Sequence, residues 1–167
     1  MTKKYNQKLL IFGLVASSVL GITCNIQSSS AQVTYGSYVG VGTTMGLIED
    51  SQVGGIISAR YKFLKNPVSL RTQALIGDST AIISTISYDM PINWQTDVYL
   101  GVGLVLASED KSSTVGNKIS FALQPGVDYI IPNSNTVIFG NAIIAFDSYR
   151  NRSSNAFSIQ GGVSWRF

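Results

Sequence analysis

The chain has 167 residues, with 12 Lys+Arg against 9 Asp+Glu, no His and a single Cys; it is 45% hydrophobic but only 13% charged, against roughly 25% charged in an average soluble domain. That length supports one domain with a real core. The missing histidines exclude the commonest general base, the usual zinc ligand and the Ser-His and Cys-His triads, and one cysteine excludes an intrachain disulfide or a CxxC metal site.

The first segment reads as an export signal. Lys3, Lys4 and Lys8 precede an uncharged, apolar stretch over 9–22, too short for a transmembrane helix of ~20 apolar residues. It gives way to Gln27-Ser28-Ser29-Ser30-Ala31. Basic, apolar and small-residue regions in that order predict a secretory signal peptide over 1–31, cut between Ala31 and Gln32, and leave a mature domain over 32–167. Cys24 follows Gly21-Ile22-Thr23 and lacks the Leu three residues upstream that marks a lipid-attachment site, so lipidation is not expected. Cleavage removes three of the 12 basic residues and no acidic one, leaving nine of each sign. No basic patch remains, and nucleic acid is not an expected partner.

From Tyr35 onward there is no 3.6-residue apolar period. Period-two alternation rich in Val, Ile, Thr, Tyr and Phe, broken by turn residues, predicts eight strands, over about 35–47, 52–64, 68–77, 80–90, 97–108, 117–131, 136–148 and 155–167. In the second, Val53, Ile57, Ala59, Tyr61 and Phe63 oppose Ser58, Arg60 and Lys62. The fifth sets Val98, Leu100, Val102, Leu104 and Leu106 against Tyr99, Gly101 and Gly103. The sixth sets Ile119, Phe121, Leu123, Val127 and Tyr129 against Lys118, Ser120, Gln124, Gly126 and Asp128. The seventh is ambiguous, because Val137, Phe139 and Ile143 compete with Ile138, Ile144 and Phe146 for the apolar face. In the eighth, Phe157, Ile159, Val163, Trp165 and Phe167 share one face. The segments Tyr38-Val39-Gly40-Val41-Gly42 and Tyr99-Leu100-Gly101-Val102-Gly103 repeat one another, but neither fits a GxGxxG nucleotide loop.

The face opposite the bulky one is mostly Gly, Ser, Ala, Thr and Gln, whereas a solvated face should be rich in Lys, Glu and Asp. Small residues suit a narrow lumen filled by a few large side chains, with the bulky face against lipid. The fold class expected is therefore all-β, an eight-stranded antiparallel up-and-down transmembrane barrel. With the N-terminus on the periplasmic side, the inner turns are 64–67, 90–96 and 131–135, each with a proline (Pro67, Pro91, Pro132) expected to end a strand abruptly. The outer loops are 48–52, 77–79, 108–116 and 148–154, and carry Glu49, Asp50, Asp78, Glu109, Asp110, Lys111, Arg150 and Arg152. Outward aromatics, Tyr35, Tyr61, Phe63, Tyr88, Tyr129, Trp165 and Phe167, collect with Trp94 at the inner ends, where amphipathic rings favour the interface. Phe146 and Phe157 are candidates for the opposite rim. Arg60, Lys62, Arg71, Asp89, Asp97, Asp128, Asp147 and Arg166 all fall on the less apolar parity. They are expected to form a polar network inside the lumen with Gln73, Gln124 and Gln160, and to act as a plug.

These features together resemble the small outer-membrane barrel family, of the kind formed by OmpX and the membrane domain of OmpA, over roughly residues 33–167. The most specific motif is the terminal Val163-Ser164-Trp165-Arg166-Phe167. The resemblance implies an assembly signal at Val163, Trp165 and Phe167, with the barrel-assembly machinery and periplasmic chaperones as partners during biogenesis. It implies outer-membrane lipid as the surroundings. A monomer without cofactor or metal is expected. OmpA-type proteins continue into a peptidoglycan-binding domain, whereas this sequence ends at Phe167, so a cell-wall tether is not expected. The long protruding strands of OmpX-like adhesion are not evident. Enzymatic barrels such as the lipid A palmitoyltransferase and the omptins rely on a catalytic His, so catalysis is not expected. The leading expectation is a structural or surface-interacting outer-membrane barrel with a lumen filled by polar side chains. The alternatives are a narrow porin-like channel and a secreted soluble barrel holding an apolar ligand within.

Overall fold

Strands with one greasy and one small polar face can satisfy both by curling until the last strand meets the first. The computed structural model describes residues 36–47, 53–63, 65–77, 80–107, 114–116, 119–148 and 155–167. Eight strands lie among them: β1 (Tyr38–Gly46), β2 (Val53–Lys62), β3 (Val68–Ile76), β4 (Ala81–Asn93), β5 (Thr96–Ala107), β6 (Ser120–Ile130), β7 (Thr136–Phe146) and β8 (Ala156–Arg166). Each pairs antiparallel with the next, and β8 pairs with β1 to close the barrel. Closure leaves no lateral edge, which is the condition for backbone to sit in hydrocarbon. The eight expected strands are all present, their ends displaced by a few residues at most. The segment over 1–31 expected to be a signal peptide, with its expected cleavage site at Ala31 and Gln32, and Cys24, Tyr35, Lys118 and the loop charges Glu49, Asp50, Asp78, Glu109, Asp110, Lys111, Arg150 and Arg152 lie outside the described residues.

The register fixes the geometry of the lumen. Stepping from partner to partner, Tyr38 leads through Arg60, Arg71, Thr85, Gly103, Ala122 and Ala145 to Ala156. Ala156 lies two residues past Ser158, the partner of Gly46, so the path returns to β1 ten residues beyond its start. A stagger of this size on eight strands goes with a tilt of roughly 35–45°, at which strands of ~9–11 residues cross a bilayer core. It also brings inward side chains from strands far apart in the sequence to common heights along the axis.

Two prolines sit inside strands. Pro91 was expected to end β4, yet β4 continues to Asn93 and the turn shrinks to Trp94 and Gln95, with a register shift between Pro91 and Asn93. The physical reason lies in the edge: the Asp89 N–H donates to Pro67 on the β3 side, and beyond that level β4 has no β3 partner. A proline of the same parity therefore costs no ladder bond there. Pro125 lies mid-strand in β6, where the β6–β7 ladder lapses between Leu123 and Gly126.

The outer surface is aliphatic, with Val41, Ile57, Ile86, Val102, Leu104, Ile159 and Val163 among its exposed residues. Tyr61, Phe63, Tyr88, Tyr129, Trp165 and Phe167 are exposed at the end where β1 begins and β8 ends, and Trp94 projects there at 85% exposure. Phe121 and Phe146 pair at the far rim, with ring centroids 6.1 Å apart. In β7, Ile138 and Phe146 face out while Val137, Phe139 and Ile143 are buried inside, which resolves the ambiguous strand. Because the apolar parity faces outward, the fold is not the inward-facing arrangement that an internal carrier of apolar ligands needs.

Candidate functional site

The lumen is built in layers, starting at the end that carries Tyr38 and Arg166. Its two lowest layers hold Arg60 and Lys62 from β2, Arg71 from β3, Asp89 from β4, Asp97 from β5 and Asp128 from β6. Arg60, 2% exposed, is the hub. Its Nη1 donates to Asp128 Oδ2 at 2.9 Å, and its Nη2 to Asp89 Oδ2 at 2.9 Å and Asp97 Oδ2 at 3.2 Å. Arg71 Nη2 bridges Asp89 Oδ1 at 3.1 Å and Asp128 Oδ2 at 3.0 Å, and Lys62 Nζ reaches Asp89 Oδ2 at 2.8 Å. Three cations thus meet three carboxylates, and the cluster is neutral.

Neutral groups fill the remaining hydrogen-bond positions. Ser69 Oγ bridges Arg60 Nε and Asp89, while Ser87 Oγ accepts from Arg71 Nε and donates to Asp89 Oδ1. Tyr38 accepts from Arg71 and donates to Asp128 Oδ1 at 3.1 Å. The Arg71 guanidinium lies 3.3 Å from the centre of the Tyr99 ring, a cation–π arrangement strengthened by desolvation. A buried charge is tolerated when it is paired and its other positions are hydrogen-bonded, and this cluster meets both conditions almost throughout.

Glycines make the room. At Gly126 an added Cβ would strike the Tyr99 ring. At Gly162 it would come within 2.8 Å of the Phe139 ring and closer still to the Val41 carbonyl across the β8–β1 seam. Gly162→Ala must therefore push the seam apart, and is expected to destabilise the barrel by about 1–3 kcal/mol, read as a lower urea midpoint for unfolding from lipid vesicles.

Above the ions lies an uncharged amide layer with Gln73, Gln124, Asn141 and Gln160, all buried. The next levels are aliphatic: Ile56, Leu75, Ile83, Val105 and Ile143 form one buried cluster, and Val115 from the β5–β6 connection enters it at 0% exposure. Gly116, at φ 101°, packs against Ser148, and Thr114 meets the Thr44 hydroxyl at 3.4 Å. The expectation of a lumen filled by polar side chains is thus corrected in its far half, where buried aliphatic side chains and Val115 of the β5–β6 connection occupy the interior.

The eight charged residues singled out from the sequence divide accordingly. Arg60, Lys62, Arg71, Asp89, Asp97 and Asp128 meet in one cluster. Asp147 does not join it: it sits exposed in the turn after β7, at φ 49°, at the opposite end of that strand from the level where Phe139 faces Asp128. Arg166 has the inward parity but lies at the very rim, and its Nη2 donates to the Ser134 carbonyl at 3.1 Å. The three glutamines lie a layer above the charges instead of among them. Tyr38, Ser69, Ser87 and Tyr99 were missed, although each shares the inward parity of the charges. Val115 carries no periodic signal that could have placed it. Val163, Trp165 and Phe167, expected to carry an assembly signal, are all exposed on the outer face at the terminal end, and the Phe167 N–H donates to the Ser37 carbonyl.

No protein-family model matches the chain, and no curated protein matches it. Among solved structures it is similar to a de novo designed transmembrane β-barrel, with TM-score 0.58 and 12% identity over 81% of this chain and 98% of the other. It is also similar to the neisserial surface protein NspA, with TM-score 0.57 and 15% identity over 78% and 97%. A third is the outer membrane protein Ail of Yersinia pestis in a phospholipid nanodisc, with TM-score 0.52 and 18% identity over 79% and 99%. At such identities the likeness is one of fold. The chain has the fold of the small eight-stranded outer-membrane β-barrels, the class that its sequence resembles.

Proposed function

We propose that the protein is an integral outer-membrane barrel with a structural or surface-interacting role, and that it neither conducts solutes nor catalyses a reaction. The observation that carries this reading is the occupation of the lumen by the chain's own side chains. Paired ions fill one end and an aliphatic cluster capped by Val115 fills the other, while the outer surface is a belt of exposed aliphatic residues of the kind that hydrocarbon solvates. The end bearing Trp94, Trp165 and Phe167 faces the periplasm in this reading. Removal of residues 1–31 between Ala31 and Gln32 precedes insertion, and the barrel works as a monomer without cofactor. The assembly machinery and periplasmic chaperones engage the alternating Val163, Trp165 and Phe167.

Heat-modifiability of the detergent-extracted membrane fraction tests the reading: a folded barrel migrates differently from its boiled form. Recovery in the soluble periplasm without detergent would reject it. Deleting Phe167 is expected to lower the amount of heat-modifiable protein in the outer membrane several-fold. Undiminished assembly would reject the role given to the terminal motif.

A further inference from the structure

One connection reaches across the barrel. Residues 114–116 belong to the link between β5 and β6, yet Thr114 lies against Gly46 and its hydroxyl meets that of Thr44 at 3.4 Å, both on β1. In a closed ring of eight strands, β1 and β5 stand on opposite sides, so this segment spans the lumen as a strap. Its Val115 side chain sits in the aliphatic cluster at 0% exposure. The strands leave room for it: their inward residues at this end include Gly46, Ala81, Ala107, Ala145 and Ala156. At the ionic end the strands fill the lumen themselves, with Arg60, Arg71 and Tyr99. A structural plug needs large side chains on its strands, whereas a place filled from a connection can be vacated, because connections are the parts that move for binding.

We propose that the aliphatic half of the lumen is a binding pocket for the end of an aliphatic chain that carries a hydroxyl or carbonyl oxygen, and that the strap bearing Val115 is its lid. Ile56, Ile83, Val105 and Ile143, all buried in one cluster, surround the chain. Ser120 and Ser158, the cross-strand partners of Val105 and Ile143, hydrogen-bond its oxygen: the Oγ of each is buried without a partner. These residues carry no charge, so a charged head group is not accommodated. The apolar seat of the strap is one valine, worth roughly 10- to 100-fold in an equilibrium, a bias that a ligand filling the same place can reverse. The pocket is blind, with the amides and the paired ions beneath it, so occupancy requires no passage through the barrel.

This inference fails separately from the non-conducting reading, which conductance decides. The test is titration of 1-hexanol into the full chain folded in phospholipid nanodiscs, followed by NMR of the isoleucine methyl groups. Ile57, Ile86 and Ile159, exposed on the outer face, report partition of the alcohol into lipid and are expected to shift in proportion to its concentration. Ile83 and Ile143 are expected to shift and saturate. Inner methyls that stay still, or that follow the outer ones without saturating, would overturn the pocket. In a Cys24→Ser background, Thr44→Cys with Thr114→Cys places two thiols where the hydroxyls now meet, within reach of a disulfide. Oxidation is expected to abolish the inner shifts and reduction to restore them; inner shifts indifferent to oxidation would overturn the lid. Val115→Ala weakens the competing seat and is expected to tighten hexanol binding several-fold, a measurement that stands alone should the cysteine pair fail to fold. Weaker binding in that variant would make Val115 a wall of the pocket and overturn its role as lid.

Discussion

Replacing Arg60 with Met is expected to destabilise the folded barrel by about 3–5 kcal/mol, the usual cost of removing one partner from a buried ion cluster. The geometry explains why this position should be so sensitive. Among the described residues Arg60 is the one that ion-pairs with Asp89, Asp97 and Asp128 together, and Met at this site leaves two cations among three buried carboxylates. Asp89 and Asp128 keep Arg71, and Asp89 also keeps Lys62. Asp97 keeps no ion pair, since among the described residues its one ion pair is with Arg60. The double variant Arg60→Met with Asp97→Asn restores neutrality and is expected to recover a substantial part of the loss. Urea unfolding from lipid vesicles, followed by the heat-shifted gel band, measures both. A single-variant cost below about 1 kcal/mol, the range of an exposed pair, would mean that the cluster is hydrated and open.

The second large effect is expected on the opposite face. Val102 is exposed on the outside of β5 and sits next to Gly101 in the amide layer, near the middle of the barrel's height. Val102→Arg should cost about 2–4 kcal/mol in a bilayer, as expected for Arg at the midplane. Ile92→Arg, at the exposed tip of the β4–β5 hairpin beside Trp94, should cost only about 0–1 kcal/mol, the interfacial value. A soluble barrel would tolerate both substitutions equally. The contrast between the two positions, measured by the same vesicle unfolding experiment, is therefore a reading of membrane depth.

Strand number and parity were legible because one face of each strand must be apolar enough for hydrocarbon while the other is small or polar. β8 shows the alternation cleanly from Phe157 to Trp165, and β5 does so from Val98 to Leu104. Where that contrast fades, the reading fades with it. β7 places Phe139 and Ile143 inside and Ile138 and Ile144 outside, so both faces look apolar. The cause is the aliphatic far half of the lumen, which no single strand reveals. Charges could be assigned to the interior by parity, but their height along the axis depends on the stagger between strands. Parity alone therefore grouped Arg166 and Asp147, which lie at the two ends of the barrel, with six residues whose ion-pair cluster they do not share. The amide layer was hidden for the same reason: Gln73, Gln124 and Gln160 are far apart in sequence and become level only through the ten-residue stagger. Val115 belongs to a connection, and its insertion into the lumen follows from packing against residues of several strands.

In the function proposed above, ions at one end and aliphatic side chains at the other close this lumen. The most direct test is planar-bilayer recording with the purified, heat-modifiable protein. A closed lumen predicts no conductance above the bare bilayer for the wild-type chain, even when the protein is present in amounts that insert readily. Discrete, reproducible conductance steps from the wild-type barrel would contradict a closed lumen and favour the alternative of a narrow channel.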